Sequence, residues 1–156
     1  MSPEFWTSLT VVAVVLIAGI LIFRYTQGFY PGSRVIVGEP PLEQNGLDTS
    51  QARFIFFYAP WCPWSKKATK PHHSFKQNYL NNPSTYGGKT IVFEEIDATQ
   101  DKGKAALYKV KAFPTFKLET QDKLFEYRGV PDAKKFQEFL RDALGTQLIP
   151  NQAPSS

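Results

Sequence analysis

A single cysteine, Cys62, is the only thiol in a chain of 156 residues. Without a second thiol the chain cannot hold an internal disulfide, and a structural zinc centre built mainly on thiolates is excluded. Any disulfide chemistry must be intermolecular. Acidic residues are missing between Asp48 and Glu94, an interval that carries Arg53, Lys66, Lys67, Lys70, Lys76 and Lys89. The net charge is only +4, so this is a local basic patch on an otherwise slightly acidic chain. A solvated helix face accounts for such a patch better than nucleic-acid binding, and no nucleic-acid partner is expected. Charge of either sign is absent from residue 5 to residue 23. No internal repeat is present, which argues against a solenoid.

Hydrophobic residues make up 42% of the chain and aromatics 15%, with 13 Phe among them, which excludes wholesale disorder. The length suits one ordinary domain with additional segments. Residues 5–23, FWTSLTVVAVVLIAGILIF, are apolar all round. As a helix they would cover about 28 Å, close to the hydrocarbon thickness of a bilayer. Phe5 and Trp6 at one end and Phe23 and Tyr25 at the other suit the two membrane interfaces. The run exceeds the apolar core of a signal peptide and no Lys or Arg precedes it, so a retained single-pass span is expected. Arg24 and Arg34 follow the run whereas Glu4 precedes it, which places the bulk of the protein on the cytosolic side of an endomembrane or virion membrane.

The expected organisation is an anchor over residues 1–24, a Pro/Gly-rich tether over 25–50, a globular domain over 51–146 and an extended tail over 147–156. Inside the tether, Val35-Ile36-Val37 reads as a short edge strand. Residues 54–58, FIFFY, are continuous, aromatic and unalternating, the pattern of a central strand covered on both faces. A helix follows to about Tyr79, kinked or divided by Pro71, and residues 81–88 read as a loop. A second strand covers residues 90–96, a short helix 102–110, and a hairpin 115–118 and 123–127. Asp132 caps a last helix whose inner stripe is Phe136, Phe139, Leu140, Ala143 and Leu144, with Gly145 closing it. This order predicts an α/β sandwich with a mixed central sheet flanked by helices, behind an N-terminal transmembrane helix.

Cys62 falls where the buried strand passes into a helix. Free N–H groups at a helix N-terminus favour a thiolate, and Lys66 and Lys67 are expected to add to that bias. Flanking Pro60, Trp61, Pro63 and Trp64 suggest an exposed, shaped loop; the competing reading is a buried, inert cysteine. His72 and His73 could serve as metal ligands or as a base for Cys62. Adjacent helical residues diverge and no carboxylate lies nearby in sequence, so no metal site is assigned.

Tyr58-Ala59-Pro60-Trp61-Cys62 followed by Ser65-Lys66 resembles the active-site segment of thioredoxins, most closely the domains of protein disulfide isomerases. Asp97-Ala98-Thr99, Tyr108, Val110, Phe113-Pro114-Thr115 and Tyr127-Arg128-Gly129 continue the resemblance. It implies a thioredoxin-like fold in which Pro114 is a cis-proline facing Cys62. Phe113 and Pro114, with Trp61 and Trp64, would then form the substrate-docking edge. Two departures stand out. Ser65 replaces the second cysteine of the redox pair, giving a CxxS site with Cys62 as nucleophile and Ser65 as its hydrogen-bond partner. Phe56 occupies the position of the family's buried acid, which relays protons to the cysteine that is missing here.

Three functional classes follow, with nucleic-acid binding by the basic patch ranked last. One is a membrane-anchored monothiol protein that forms mixed disulfides with client proteins or isomerises them, with no resident cofactor and with glutathione or another thiol resolving the adduct. The alternative is a non-catalytic structural module that ties the lipid bilayer to neighbouring assembly subunits, for example in a virion shell over an internal membrane.

Overall fold

The computed structural model describes residues 12–20, 22, 35–40 and 45–149. Residues 1–33 and 34–156 form separate compact units. In the first, residues 12–20 and 22 are helical and exposed, with Val14 and Val15 each 64% exposed. No helix among the described residues is long and apolar enough to cross a membrane. The expected anchor extends beyond those residues, and its flanking aromatics, most of the tether and residues 150–156 of the tail lie outside the described part.

The second unit is built on strand β1 (Val35–Gly38), β2 (Gln51–Tyr58), helix α1 (Pro63–Asn81), β3 (Thr85–Tyr86), β4 (Thr90–Asp97), α2 (Lys102–Leu107), β5 (Thr115–Glu119), β6 (Leu124–Tyr127), α3 (Ala133–Leu144) and β7 (Gln147–Leu148). Its main sheet runs β1-β6-β5-β2-β4. Strand β2 pairs parallel to β4 and antiparallel to β5, so the sheet is mixed, as the element order predicts.

Alternation along β2 divides its side chains between two cores. Phe54 and Phe56 join Ala68 and Phe75 of α1 and Phe136, Phe139 and Leu140 of α3. Ile55 and Phe57 face the other way, against Ile96, Ala98, Tyr108 and Ala105 of α2. Helices therefore cover both faces, α1 and α3 on one and α2 on the other. Asp132 caps α3 as expected, accepting from the backbone N–H groups of Lys134 and Lys135 at 3.0 and 3.2 Å. Asp101 does the same for α2, accepting from Lys104 N–H at 2.8 Å.

Three features differ from the sequence reading. Helix α1 is undivided through Pro71. A proline inside a helix costs about 3 kcal/mol. Here Ser65, Ala68, His72 and Phe75 form one buried stripe on both sides of it, and tertiary packing holds the helix together. Second, the loop after α1 contains β3, and the expected tail begins with β7; the two pair antiparallel as a small separate sheet. Third, Gly87 presses this ribbon against the end of α3. Its φ is +53°, and a Cβ there would lie 1.8 Å from the Leu144 carbonyl oxygen.

Gly87→Ala should therefore destabilise the domain by more than ~2 kcal/mol, because strain and a backbone clash act together. Gly88, at φ +77° with open space around its Cα, isolates the strain alone, so Gly88→Ala should cost roughly 1 kcal/mol. Urea unfolding of the two variants measures the difference; equal losses would contradict the close-packing assignment.

Candidate active site

The β2–α1 junction places the cysteine. Tyr58 ends the strand, its carbonyl accepting from Ala98 N–H at 2.9 Å. The chain then turns, with Cys62 N–H donating to the Ala59 carbonyl at 3.0 Å. Cys62 is the N-cap of α1, in extended conformation, and Pro63 occupies the first helical turn. Proline suits that turn because its missing N–H would have had no helical acceptor.

Ser65 sits one turn in and is buried, 1% exposed. Its hydroxyl oxygen accepts from Ala59 N–H at 3.2 Å, which ties the start of the helix back to the end of the strand. The side chain that stands where a resolving thiol would be thus also braces the turn that holds Cys62.

Hydrogen bonds from Ser65 N–H hold the Cys62 thiol below its ordinary pKa, with the Ser65 hydroxyl and Trp64 N–H contributing further and burial opposing them. The direction matches the sequence expectation, but its source does not: the backbone and hydroxyl donors of the first turn are responsible rather than the lysines. Lys67 instead stands over the Trp64 ring, its ammonium 4.6 Å from the centroid. Cys62 itself is buried at 7% exposure, which corrects the expectation of an exposed residue. Its neighbours supply the exposure, Trp61 at 69% and Trp64 at 67%.

The Phe113–Pro114 peptide bond is cis. Protonated Cys62 donates through Sγ to the Phe113 carbonyl at 3.6 Å, so the loop before β5 faces the cysteine. Trp61 meets the Phe113 ring edge-to-face, with centroids 6.5 Å apart. A groove of about 600 Å³ adjoins this loop, lined by Trp64, Lys67, Phe113, Pro114, Tyr127 and Val130 among others. Trp61 does not line it. Val130, 70% exposed, was not singled out from the sequence; Tyr127 fixes its loop by donating from its hydroxyl to the Val130 carbonyl at 2.8 Å. The only signal for it was its place beside Tyr127-Arg128-Gly129.

Phe56 is 1% exposed and stacks on Phe116 with centroids 4.7 Å apart and planes 7° from parallel. His72 also packs against it, with centroids 4.9 Å apart. Aromatic packing thus fills the place of the family's buried acid. The histidines do acquire a carboxylate that the sequence order hid: Glu95 of β4 lies within 3.8 Å of His72 and 3.4 Å of His73. The acid-free segment is compensated in the same way. Arg53 pairs with Glu94 and Glu119, and Lys76 with Glu95. Lys66, Lys67 and Lys70 remain exposed on α1 without an ion-pair partner among the described residues.

Alkylation of Cys62 should show a midpoint below the free-cysteine value of about 8.5. Ser65→Ala should move it upward, since that substitution removes a donor to the thiolate. Rates measured against pH by stopped-flow decide this; a midpoint at or above the free value would mark Cys62 as inert.

The profile of the Thioredoxin family matches residues 42–142. Among curated proteins, protein disulfide-isomerase 1 of Caenorhabditis elegans is 31% identical over 102 residues, covering 64% of this chain and 19% of that protein. Human protein disulfide-isomerase A2 is 27% identical over 124 residues, covering 78% and 21% respectively. The chain thus spans about a fifth of the length of these relatives. Among solved structures, the first thioredoxin domain of mouse protein disulfide-isomerase A4 superposes with a TM-score of 0.53 at 22% identity, covering 71% of this chain and 73% of that domain. The chain belongs to the thioredoxin family, with relatives among the protein disulfide isomerases.

Proposed function

We propose that this protein is a monothiol member of its family, which captures client proteins as mixed disulfides or isomerises their disulfides. The observation that carries this reading is the pairing of Cys62 with Ser65 at the start of α1: a thiol held below its usual pKa, with a hydroxyl where a second thiol would be. The Cys62 thiolate attacks one sulfur of a client disulfide, forming the Cys62–client bond and releasing the other client sulfur as a thiolate. Ser65 stabilises the attacking thiolate but cannot attack sulfur itself. The adduct ends in one of two ways. A different client cysteine attacks the client sulfur of the adduct as a thiolate and frees Cys62, which isomerises the client, whereas return of the thiolate first released only reverses the step. Alternatively an external thiol such as glutathione attacks, forming a new disulfide with either sulfur and releasing the other as a thiolate.

Client binding is proposed to use the Trp64–Phe113–Pro114 groove and the exposed Trp61 ring, with an extended client strand laid against the backbone of Phe113. The apolar run 5–23 is proposed to anchor the protein in a membrane with this domain on the cytosolic side. Its support is the absence of charge over that run, the helical and exposed residues 12–20, and Arg24 and Arg34 after it.

Two results are expected from native membranes carrying the full chain. Alkaline carbonate should leave the protein in the pellet. Rapid acid quenching should then preserve disulfide-linked adducts that disappear in Cys62→Ser. Carbonate release would refute the anchor alone. Assembly and client association unchanged by Cys62→Ser, with no adduct in the wild type, would favour the structural module over the exchange activity.

A further inference from the structure

Away from Cys62, helix α1 and edge strand β4 bring His72, His73 and Glu95 together, with one donor atom from each lying within 4.8 Å of the others. His72 is 0% exposed, and neither of its ring nitrogens has a hydrogen-bond partner. An unpaired imidazole in an apolar core is costly, so its retention calls for a reason. Its ring packs among aromatic rings, with Phe56 at 4.9 Å and Phe116 at 6.0 Å between centroids. Its Nδ1 points toward Glu95, 3.8 Å from Oε1, too far for a hydrogen bond. His73 Nε2 stands 3.4 Å from Glu95 Oε2.

We infer that His72 Nδ1, His73 Nε2 and a Glu95 carboxylate oxygen form a divalent transition-metal site of zinc type, with the remaining coordination position open to water. Ligand bonds of 2.0–2.2 Å in a tetrahedral site put donor atoms about 3.3 Å apart. The two imidazole–carboxylate separations are near this, each to a different Glu95 oxygen. The wider spread of up to 4.8 Å closes by rotation of the exposed His73 and Glu95 side chains. Two imidazoles and one carboxylate are a donor set that zinc accepts, and thiolate is not required. His73, 55% exposed, and Glu95, 28% exposed, keep the site open to solvent.

The cation position is contested. Lys76 Nζ donates to Glu95 Oε1 at 2.9 Å, and its ammonium balances the carboxylate in the metal-free protein. With its side chain 33% exposed, Lys76 can turn out to water when the ion enters. Metal and lysine therefore compete for one carboxylate. This competition gives a signature that nonspecific binding to surface histidines lacks.

The test is calorimetric titration of the full chain with Zn²⁺ alone, in wild type, Cys62→Ser, His73→Ala, Glu95→Gln and Lys76→Gln. His72 is left in place because its removal from the core would unfold the domain. Circular dichroism checks that each variant is folded. One ion per chain should bind the wild type and Cys62→Ser alike. His73→Ala and Glu95→Gln should each weaken binding at least about tenfold, a loss that even groups outside a ligand set can cause. Lys76→Gln should strengthen it. Cys62 lies about 15 Å along the helix from His72, so Zn²⁺ should leave its alkylation rate unchanged. No binding to the wild type, loss of binding in Cys62→Ser, protection of Cys62 by Zn²⁺, or unchanged affinity in His73→Ala and Glu95→Gln would each overturn the assignment. So would a failure of Lys76→Gln to raise affinity.

Discussion

Strand β2 is covered on both faces. Four consecutive side chains, Phe54 through Phe57, are at most 1% exposed, two in each core. Burying a side chain of this size contributes roughly 1.5–3 kcal/mol, and a one-residue slip would send each pair into the opposite core. The register of β2 against β4 and β5 is fixed by this constraint, and with it the point at which the chain leaves the sheet. Everything at the site follows from that exit: the turn at Ala59, the start of α1 at Cys62, and the approach of the Phe113–Pro114 loop at the head of β5.

At that exit two demands are met by the same few atoms. The turn needs a partner for Ala59 N–H, which the Ser65 hydroxyl supplies at 3.2 Å. The thiolate needs donors, which Ser65 N–H, the Ser65 hydroxyl and Trp64 N–H supply. A hydroxyl can serve both but cannot form a disulfide. Phe56, stacked on Phe116, brings no carboxyl to the strand beneath this chemistry, in keeping with the absence of a second thiol to deprotonate. The two departures from the family pattern are thus mutually consistent. Both suit the proposed role, in which the site forms an adduct that it does not resolve internally.

Much of this was legible in the chain. An unbroken apolar run bounded by proline reads as a doubly covered strand, and the stripe Phe136, Phe139, Leu140 behind Asp132 reads as a capped helix; both stand where expected. The cis bond before Pro114 followed from the family resemblance and from nothing local. Less was visible where long-range contacts decide. Strands β3 and β7 are two residues each, too short to carry a periodicity. Pro71 signals a break that burial of Ala68 and Phe75 on either side overrides. Glu95 meets His72 and His73 because β4 lies parallel to β2 with Glu95 opposite Phe56, a register that no sequence spacing encodes. Likewise, the lysines near Cys62 suggest a charge effect, whereas hydrogen bonds from Ser65 and Trp64, opposed by burial, lower its pKa.

The central claim is that Cys62 forms an adduct this chain cannot resolve by itself. A preformed mixed disulfide between Cys62 and a model peptide containing one cysteine tests it, with peptide release followed over time in the absence of added thiol. The account predicts that the wild-type adduct persists until glutathione is supplied. Ser65→Cys should release the peptide unaided, leaving a disulfide between positions 62 and 65. Spontaneous release from the wild type, or an adduct in Ser65→Cys that stays intact without added thiol, would contradict the proposed role of the site.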